Sequence, residues 1–245
     1  MDTVITYLTL SFIVSFLLGS IPWGVIVSKL AFHKDIRDEG SGNIGTTNAF
    51  RAMGKVGGAL VFVLDFGKGL LSGWLAAFVF APAIAAVPVD AATPDGQLLL
   101  GIFGNPALNP VGLALAVAFA GCTLGHIFSP WLKFKGGKGI AVAAACLWFV
   151  FGPVGFFIEI AAFALGKVGF KTLWHRAPNM DSLIAVGSIA AAAICPLLAL
   201  YFYWGQWVPW LIIAATACVV IWAHRANIAR LRAGTENKIG SKKTA

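Results

Sequence analysis

Three short polar stretches interrupt a chain that is otherwise almost continuously apolar, and they hold the residues that could do chemistry. They are GSGNIGTTNAFR at residues 40–51, KFKGGKG at 133–139 and HRANIARLRAG at 224–234. Each combines glycine or asparagine with basic side chains. Backbone amides of a glycine-rich turn and neighbouring cations can bind an anion together. The three stretches therefore predict contacts to a phosphate-bearing ligand.

The first stretch contains the groups needed to surround an anion. Its glycines permit close backbone approach, and Arg51 offers a planar guanidinium that matches phosphate or carboxylate. Neutral hydrogen-bonding side chains lie between them, namely those of Ser41, Asn43, Thr46, Thr47 and Asn48. Composition fits a second interpretation equally well, a flexible polar loop with one arginine on the cytoplasmic side.

The second stretch ends in Lys138, which is flanked by glycines and precedes a predicted helix. The amides of a helix N-terminus attract anions, so Lys138, Gly136 and Gly137 are candidate phosphate contacts. The spacing does not match a Walker A nucleotide-binding loop, because no serine or threonine follows the lysine. Membrane topology alone explains Lys133 and Lys135, since cytoplasmic loops collect basic residues.

The third stretch follows the last apolar segment directly and is predicted to be helical. His224, Asn227 and Leu231 share one face of such a helix. A cytoplasmic helix in contact with anionic lipid explains the three arginines Arg225, Arg230 and Arg232. It does not explain His224 and Asn227, which are therefore site candidates.

Four ionisable residues lie within or at the end of apolar segments. Asp65 and Lys68 are one helical turn apart, which favours a self-contained structural pair over a functional site. Glu159 has no partner that the sequence reveals. His126 ends an apolar segment, and its predicted role is to orient the loop that follows.

The elements that position these residues are predicted to be membrane-spanning helices. Hydrophobic residues make up 59% of the chain, charged residues 11%, and the mean hydropathy is +0.84. These values exclude a soluble domain of this length. The net charge of +8 points to cytoplasmic loops and anionic partners in such a chain, not to nucleic acid. We predict an all-α integral membrane protein with a single domain over residues 1–245.

A bilayer core about 30 Å thick requires about 20 apolar residues in a helix. Five segments qualify, at residues 3–28, 56–81, 110–128, 180–203 and 207–223. Residues 139–165 are long for one span and short for two, but Gly152 and Pro153 favour a helix break in the middle.

The distribution of basic residues decides between one helix and two at this point. Lysine and arginine fall into four segments, with 17 of the 18 in residues 29–55, 133–138, 167–176 and 225–243. Two helices place all four segments on the same side of the membrane. The sequence therefore predicts seven transmembrane helices with the N-terminus outside and the C-terminus cytoplasmic. The connections include an external loop at 82–109, with a short helix near 97–103, and a cytoplasmic tail at 224–245.

Three sequence blocks, at residues 19–51, 125–142 and 224–238, together with LDFGKG at 64–69, match the signatures of one family. The chain resembles the bacterial membrane family of acyl-phosphate:glycerol-3-phosphate acyltransferases. The resemblance implies a seven-helix enzyme of the inner membrane with its active site facing the cytoplasm. It would transfer a fatty acyl group from acyl phosphate to the 1-hydroxyl of glycerol 3-phosphate, giving lysophosphatidic acid and phosphate. A functional link to the soluble enzyme that makes acyl phosphate is also expected.

The resemblance assigns roles to individual residues. Matching motif positions imply a catalytic group of Ser41, Arg51, Lys138, His224 and Asn227. They imply substrate contacts from Gly42, Asn43, Asn48, Gly136, Gly137 and Ser182. The chain departs from the family at Thr46, where alanine is usual, and after Ser182, where the family's small-residue motif is not maintained.

Two groups could deprotonate the glycerol hydroxyl, a substrate phosphate or His224. The phosphate is favoured, because a histidine beside Arg225 and bound phosphate is expected to be engaged in phosphate binding. The cytoplasmic carboxylates are not spaced as metal ligands, so no metal or other cofactor is predicted. Two rival classes are disfavoured: an organic-anion carrier, because internal repeats are missing, and a metal-dependent phosphatidyltransferase, because paired aspartate motifs are missing.

Overall fold

The computed structural model describes residues 2–88, 92–93, 110–173, 180–233 and 235, and side chains are not described at 110, 167, 169–173 and 180–182. Within these ranges the secondary structure is helical, without strands. The helices are α1 Asp2–Ser20, α2 Trp23–Phe32, α3 Thr46–Leu75, α4 Ala81–Ala85, α5 Pro110–Ile127, α6 Ile140–Val150, α7 Gly152–Leu173, α8 Met180–Phe202, α9 Trp207–Ala223 and α10 Arg225–Ala233. A π-helical turn at Ala76–Phe80 joins α3 to α4, and 3-10 turns lie at Ile36–Asp38 and Pro130–Leu132.

The first predicted helix is two helices, because Pro22 has no backbone N–H to continue α1. The second predicted helix begins ten residues earlier than expected, at Thr46, and bends at Gly54, whose φ is 69°. Arg51 therefore lies on α3 and not in a loop. The α4 helix continues to Ala85, beyond the predicted start of the external loop. The predicted short helix near 97–103 lies outside the described residues.

The ambiguous segment at 139–165 contains two helices, as expected. Helix α6 ends at Val150, and α7 begins at Gly152, whose φ is 66°. Phe151 separates the two helices, and α7 runs on to Leu173, eight residues past its predicted end.

Helix α5 lies at the centre of the bundle. Four stretches of the described residues are helical, long and apolar enough to cross a membrane: Asp2–Phe32, Thr46–Ala85, Val111–Leu132 and Leu183–Phe202. In the most apolar part of Val111–Leu132, which contains nearly all of α5, 83% of the residues are buried, against 39% in each of the other three. The α1 helix packs along α5 at very short range. A Cβ added at Gly19 would lie 2.0 Å from the carbonyl oxygen of Cys122, and one at Gly125 would lie 2.1 Å from that of Phe16. Only glycine permits this spacing, which is typical of packed membrane helices.

Candidate active site

A cavity of about 600 Å³ lies between the helices and brings together distant parts of the sequence. At one end it is lined by polar and basic residues from α3 and the loop before it, from the loop before α6, from the junction of α9 and α10, and from α10. That end includes Ser41, Asn43, Asn48, Arg51, Lys138, His224, Asn227 and Arg230. The remainder is mostly apolar and is lined by residues of α6, α7 and α8 such as Leu147, Ile160, Phe163, Ile184 and Ala192.

Asn48 holds the first polar stretch in a fixed shape. Its side chain is 1% exposed, and its Nδ2 donates hydrogen bonds to the carbonyl oxygens of Ile36 (3.1 Å) and Glu39 (3.0 Å). Its Oδ1 accepts a hydrogen bond from the backbone N–H of Ser41 at 2.8 Å. A Cβ at Gly40, where φ is 54°, would lie only 2.4 Å from this oxygen. These contacts build the loop that presents Ser41 to the cavity.

Arg51 and Ser41 meet at the polar end of the cavity. An Arg51 Nη1 donates a hydrogen bond to Ser41 Oγ at 3.3 Å. Asn43 Oδ1 accepts a hydrogen bond from the backbone N–H of Gly45 at 2.9 Å, immediately before α3 begins. The N-terminal end of α3 thus borders the cavity, where its dipole favours an anion. Gly42 is exposed and is not among the lining residues; its N–H donates to the carbonyl of Glu39 at 2.9 Å.

The KFKGGKG loop reaches the cavity by packing against the end of α5. The backbone N–H groups of Gly136 and Gly137 donate to the carbonyl oxygens of Ile127 and His126, each at 3.0 Å. A Cβ at Gly137 would lie 2.1 Å from His126 Nε2. Neither glycine lines the cavity, so the structure places them as the support for Lys138. His126 therefore orients this loop, as predicted.

His224, Asn227 and Leu231 were predicted to share one helical face, and all three are buried. His224 precedes α10 instead of lying on it. His224 is the first residue after α9, and its Nδ1 donates to the carbonyl oxygen of Val220 at 2.8 Å. Burial lowers the pKa of His224 to about 4, and the nearby Lys138 charge acts in the same direction, against the opposing effect of the Val220 hydrogen bond. At neutral pH the imidazole is therefore uncharged, and its Nε2 is a hydrogen-bond acceptor.

The position of Arg230 was not predicted. This half-buried side chain lines the cavity, so an assignment to lipid headgroups alone is wrong. Its spacing could have predicted this position, because Arg230 follows Asn227 by three residues and therefore lies on the same helical face. Arg225 is exposed and does not line the cavity, and its guanidinium lies 3.8 Å from the centre of the Trp222 ring.

The low pKa of His224 predicts a pH-dependent stability. An unfolded histidine has a pKa of about 6.5, so the unfolded chain binds this proton more tightly than the folded protein. The contribution to stability is present above pH 6.5 and is lost as the pH falls towards 4. We expect a change from pH 7 to pH 5 to remove about 2 kcal/mol of the free energy of unfolding through this residue.

The measurement is denaturation of purified wild-type and His224→Gln protein at both pH values. The glutamine variant should lose less stability on acidification than the wild type does. His33→Gln, in an exposed loop, is the control and should behave as the wild type. Equal pH dependence in wild type and His224→Gln would contradict the prediction.

Asp65 and Lys68 form the expected pair, with Lys68 Nζ 2.9 Å from Asp65 Oδ1, but the pair is not self-contained. Lys68 Nζ also donates to the carbonyl oxygen of Ile21 at 2.8 Å and lies 3.0 Å from His126 Nδ1. The lysine therefore connects α3 to the break between α1 and α2 and to the end of α5. Asp65 and His126 also line the cavity. For Ser182, the structure describes its place on α8 but not its side chain.

The fold and the cavity together define a class of protein: an all-helical membrane protein with a pocket that is cationic at one end and apolar along its length. Such a pocket suits an anionic amphiphile.

Comparison with known proteins identifies the family. The family model for glycerol-3-phosphate acyltransferase matches residues 9–234. A glycerol-3-phosphate acyltransferase of Lacticaseibacillus casei (strain BL23) is 34% identical over 232 residues, covering 95% of this chain and 92% of that protein. One from Rhodopseudomonas palustris (strain HaA2) is 35% identical over 233 residues, covering 94% and 95%. The chain therefore belongs to the glycerol-3-phosphate acyltransferase family.

Solved structures agree with this assignment. The crystal structure of PlsY (YgiH), an integral membrane glycerol 3-phosphate acyltransferase, in its glycerol 3-phosphate form superposes with a TM-score of 0.67 at 28% identity, covering 95% of this chain and 96% of that chain. Its lysophosphatidic acid form gives a TM-score of 0.64 at 26% identity, covering 95% of each chain.

Proposed function

We propose that this protein transfers a fatty acyl group from acyl phosphate to the 1-hydroxyl of glycerol 3-phosphate, releasing lysophosphatidic acid and inorganic phosphate. The observation that carries the proposal is the shape and charge of one cavity, which joins a basic end to an apolar length. Glycerol 3-phosphate is small and anionic, whereas acyl phosphate has an anionic head and an apolar tail. The cavity suits both substrates at once.

The basic end is suited to holding two phosphates. Arg51, Lys138 and Arg230 come from three different segments and line the same space, and the N-terminal ends of α3 and α6 border it. Cations and helix ends offset phosphate charge more strongly where low dielectric surrounds them. Acyl phosphate already carries a good leaving group, so the enzyme's main task is to orient the two substrates.

The substrate phosphate is the better candidate for the base that deprotonates the glycerol hydroxyl. A phosphate monoester has a second pKa of about 6, whereas the pKa of His224 is lowered to about 4. Burial makes the His224 imidazole a weak base at neutral pH, which favours the substrate phosphate in this role. His224 Nε2 is an acceptor and can orient the hydroxyl by receiving its hydrogen bond. Ser41, Asn43 and Asn227 supply neutral polar contacts around the same end.

The proposed topology has seven transmembrane helices, with the N-terminus outside and the C-terminus in the cytoplasm. The pairs α1–α2 and α3–α4 each serve as one span, followed by α5, α6, α7, α8 and α9. The break at Gly152 supports this count, because it puts the four basic segments on one side of the membrane. The active site then faces the cytoplasm of the inner membrane, where a soluble enzyme that makes acyl phosphate could deliver the donor.

The donor is tested with detergent-purified protein, glycerol 3-phosphate and three alternative donors: palmitoyl phosphate, palmitoyl-CoA and palmitoyl acyl carrier protein. We expect phosphate release and lysophosphatidic acid formation with palmitoyl phosphate, in equal amounts. Turnover with a thioester donor but not with palmitoyl phosphate would refute the proposed donor.

Arg230 is expected to contribute to substrate binding. In Arg230→Ala we expect kcat/KM for glycerol 3-phosphate to fall at least tenfold, because a partly buried cation facing phosphate is lost. The matched control is Arg232→Ala, which removes an exposed arginine of the same helix. Steady-state kinetics of both variants provide the measurement. If kcat/KM falls equally in the two variants, Arg230 has no specific role in substrate binding.

A further inference from the structure

Glu159 is a buried carboxyl in the apolar part of the cavity, away from the basic residues. It lies on α7, is 6% exposed and lines the cavity. Its neighbours along the wall include Ile160 and Phe163. Because the side chain faces the cavity and not the lipid, it belongs to the surface that an acyl chain would meet.

This carboxyl is incompletely satisfied. Its Oε1 makes no hydrogen bond to any residue that the structure describes. The Cys195 thiol on α8 interacts with the carboxyl, but a thiol is a weak donor. Ser188, which also lines the cavity, donates its hydroxyl to the carbonyl of Ile184 at 2.8 Å. A buried polar atom left without a partner destabilises a protein, so this oxygen indicates a group supplied by a ligand.

The depth of Glu159 follows from the packing of α6 against α7. In the proposed topology α6 and α7 cross the membrane in opposite directions, and the rings of Trp148 and Phe156 lie 5.3 Å apart across this pair. Glu159 is then level with Ala145, which lies seven residues beyond Lys138 in the sequence. Helix α6 begins at Ile140, so the five residues from there to Ala145 rise about 8 Å along the bundle at 1.5 Å per residue. An acyl chain whose carbonyl lies beside Lys138 would pass Glu159 near its middle.

We propose that Glu159 recognises a hydroxyl group in the middle of the acyl chain, so that hydroxylated acyl donors are preferred substrates. The proposal rests on the acyl transfer described above. A hydroxyl both donates and accepts a hydrogen bond, so it satisfies the carboxyl whether or not that carboxyl carries a proton. A saturated chain leaves Oε1 without a partner. The position of Glu159 selects a mid-chain hydroxyl over one near the carbonyl or at the terminus.

The kinetic test compares stearoyl phosphate with its 3-hydroxy, 10-hydroxy and terminally hydroxylated derivatives. For the wild type we expect the highest kcat/KM with the 10-hydroxy donor. In Glu159→Leu the ratio of kcat/KM for the 10-hydroxy donor to that for stearoyl phosphate should fall at least tenfold. Glu159→Gln keeps a hydrogen-bonding group and should retain most of the ratio.

A binding test separates this inference from the acyl transfer itself. Equilibrium binding of 10-hydroxystearic acid and of stearic acid to the purified protein requires no turnover. Tighter binding of the hydroxylated acid by the wild type, lost in Glu159→Leu, supports recognition at Glu159 even if no acyl phosphate reacts. Equal affinities in the wild type, or a change in chain-length preference alone in Glu159→Leu, would overturn the proposal.

Discussion

Replacing Lys138 with alanine is expected to reduce turnover at saturating substrate by about two to three orders of magnitude, with the fold intact. Lys138 is held at the basic end of the cavity by a loop whose glycines pack directly on His126. Its charge is positioned before substrate binds, and such preorganised charges contribute about 3–4 kcal/mol to transition-state stabilisation. The side chain is half-buried and lines the cavity, so we expect the variant to insert and fold as the wild type does.

The controls for this variant come from the same loop. Lys133 and Lys135 are exposed and do not line the cavity, so Lys135→Ala should retain near-normal activity. The measurement is phosphate release by each purified variant, alongside its thermal unfolding. Near-normal turnover in Lys138→Ala, or an equal loss of turnover in Lys135→Ala, would contradict the assignment of Lys138 to the active site.

Replacing Asp65 with alanine is expected to cost about 3–5 kcal/mol of stability, because it leaves the buried Lys68 ammonium without its counter-charge. Both side chains are almost fully buried, so the charge on Lys68 is only weakly solvated once its partner is removed. The lysine also joins the break at Ile21 to the end of α5. Loosening this contact should therefore reduce activity as well.

A double variant tests whether the charge pair itself is responsible. Asp65→Leu combined with Lys68→Met replaces both charges with apolar groups of related size. Such replacements are often neutral, so the double variant should be more stable than either single variant. Denaturation of the wild type, Asp65→Leu, Lys68→Met and the double variant in mixed micelles gives the coupling free energy. If the single variants are as stable as the wild type, the ion pair between Asp65 and Lys68 does not contribute to stability and the prediction is wrong.

The sequence was most informative about the site where function requires a local pattern. Lys138 was identifiable from its glycine neighbours, and His224 and Asn227 from their spacing on one helix. Ser41 and Arg51 were candidates from the composition of the first polar stretch, and the resemblance to a known family favoured them over the interpretation as a flexible loop. The cavity that unites all five was not predictable from local patterns, because it is formed by helices far apart in the sequence.

The misjudged features depend on contacts or side-chain directions that a local pattern does not show. Helix α3 begins at Thr46, and Asn48 in its first turn donates to the carbonyl oxygens of Ile36 and Glu39 in the preceding loop. The sequence pairs Lys68 only with Asp65, whereas in the fold its Nζ also lies 3.0 Å from His126 Nδ1. Arg230 was obscured because lipid contact and substrate contact use the same residue type. Only the direction of the side chain distinguishes the two roles.

The central claim is that residues of three distant segments bind phosphate in one cavity whose apolar part holds the acyl chain. It is tested most directly by an experimental structure of the protein with glycerol 3-phosphate and a non-reactive acyl phosphonate. The account predicts both phosphorus groups at the basic end, in contact with Arg51 and Lys138, and the acyl chain running past Glu159. Ligands bound elsewhere, or Arg51 and Lys138 opening to opposite sides of the membrane, would contradict it.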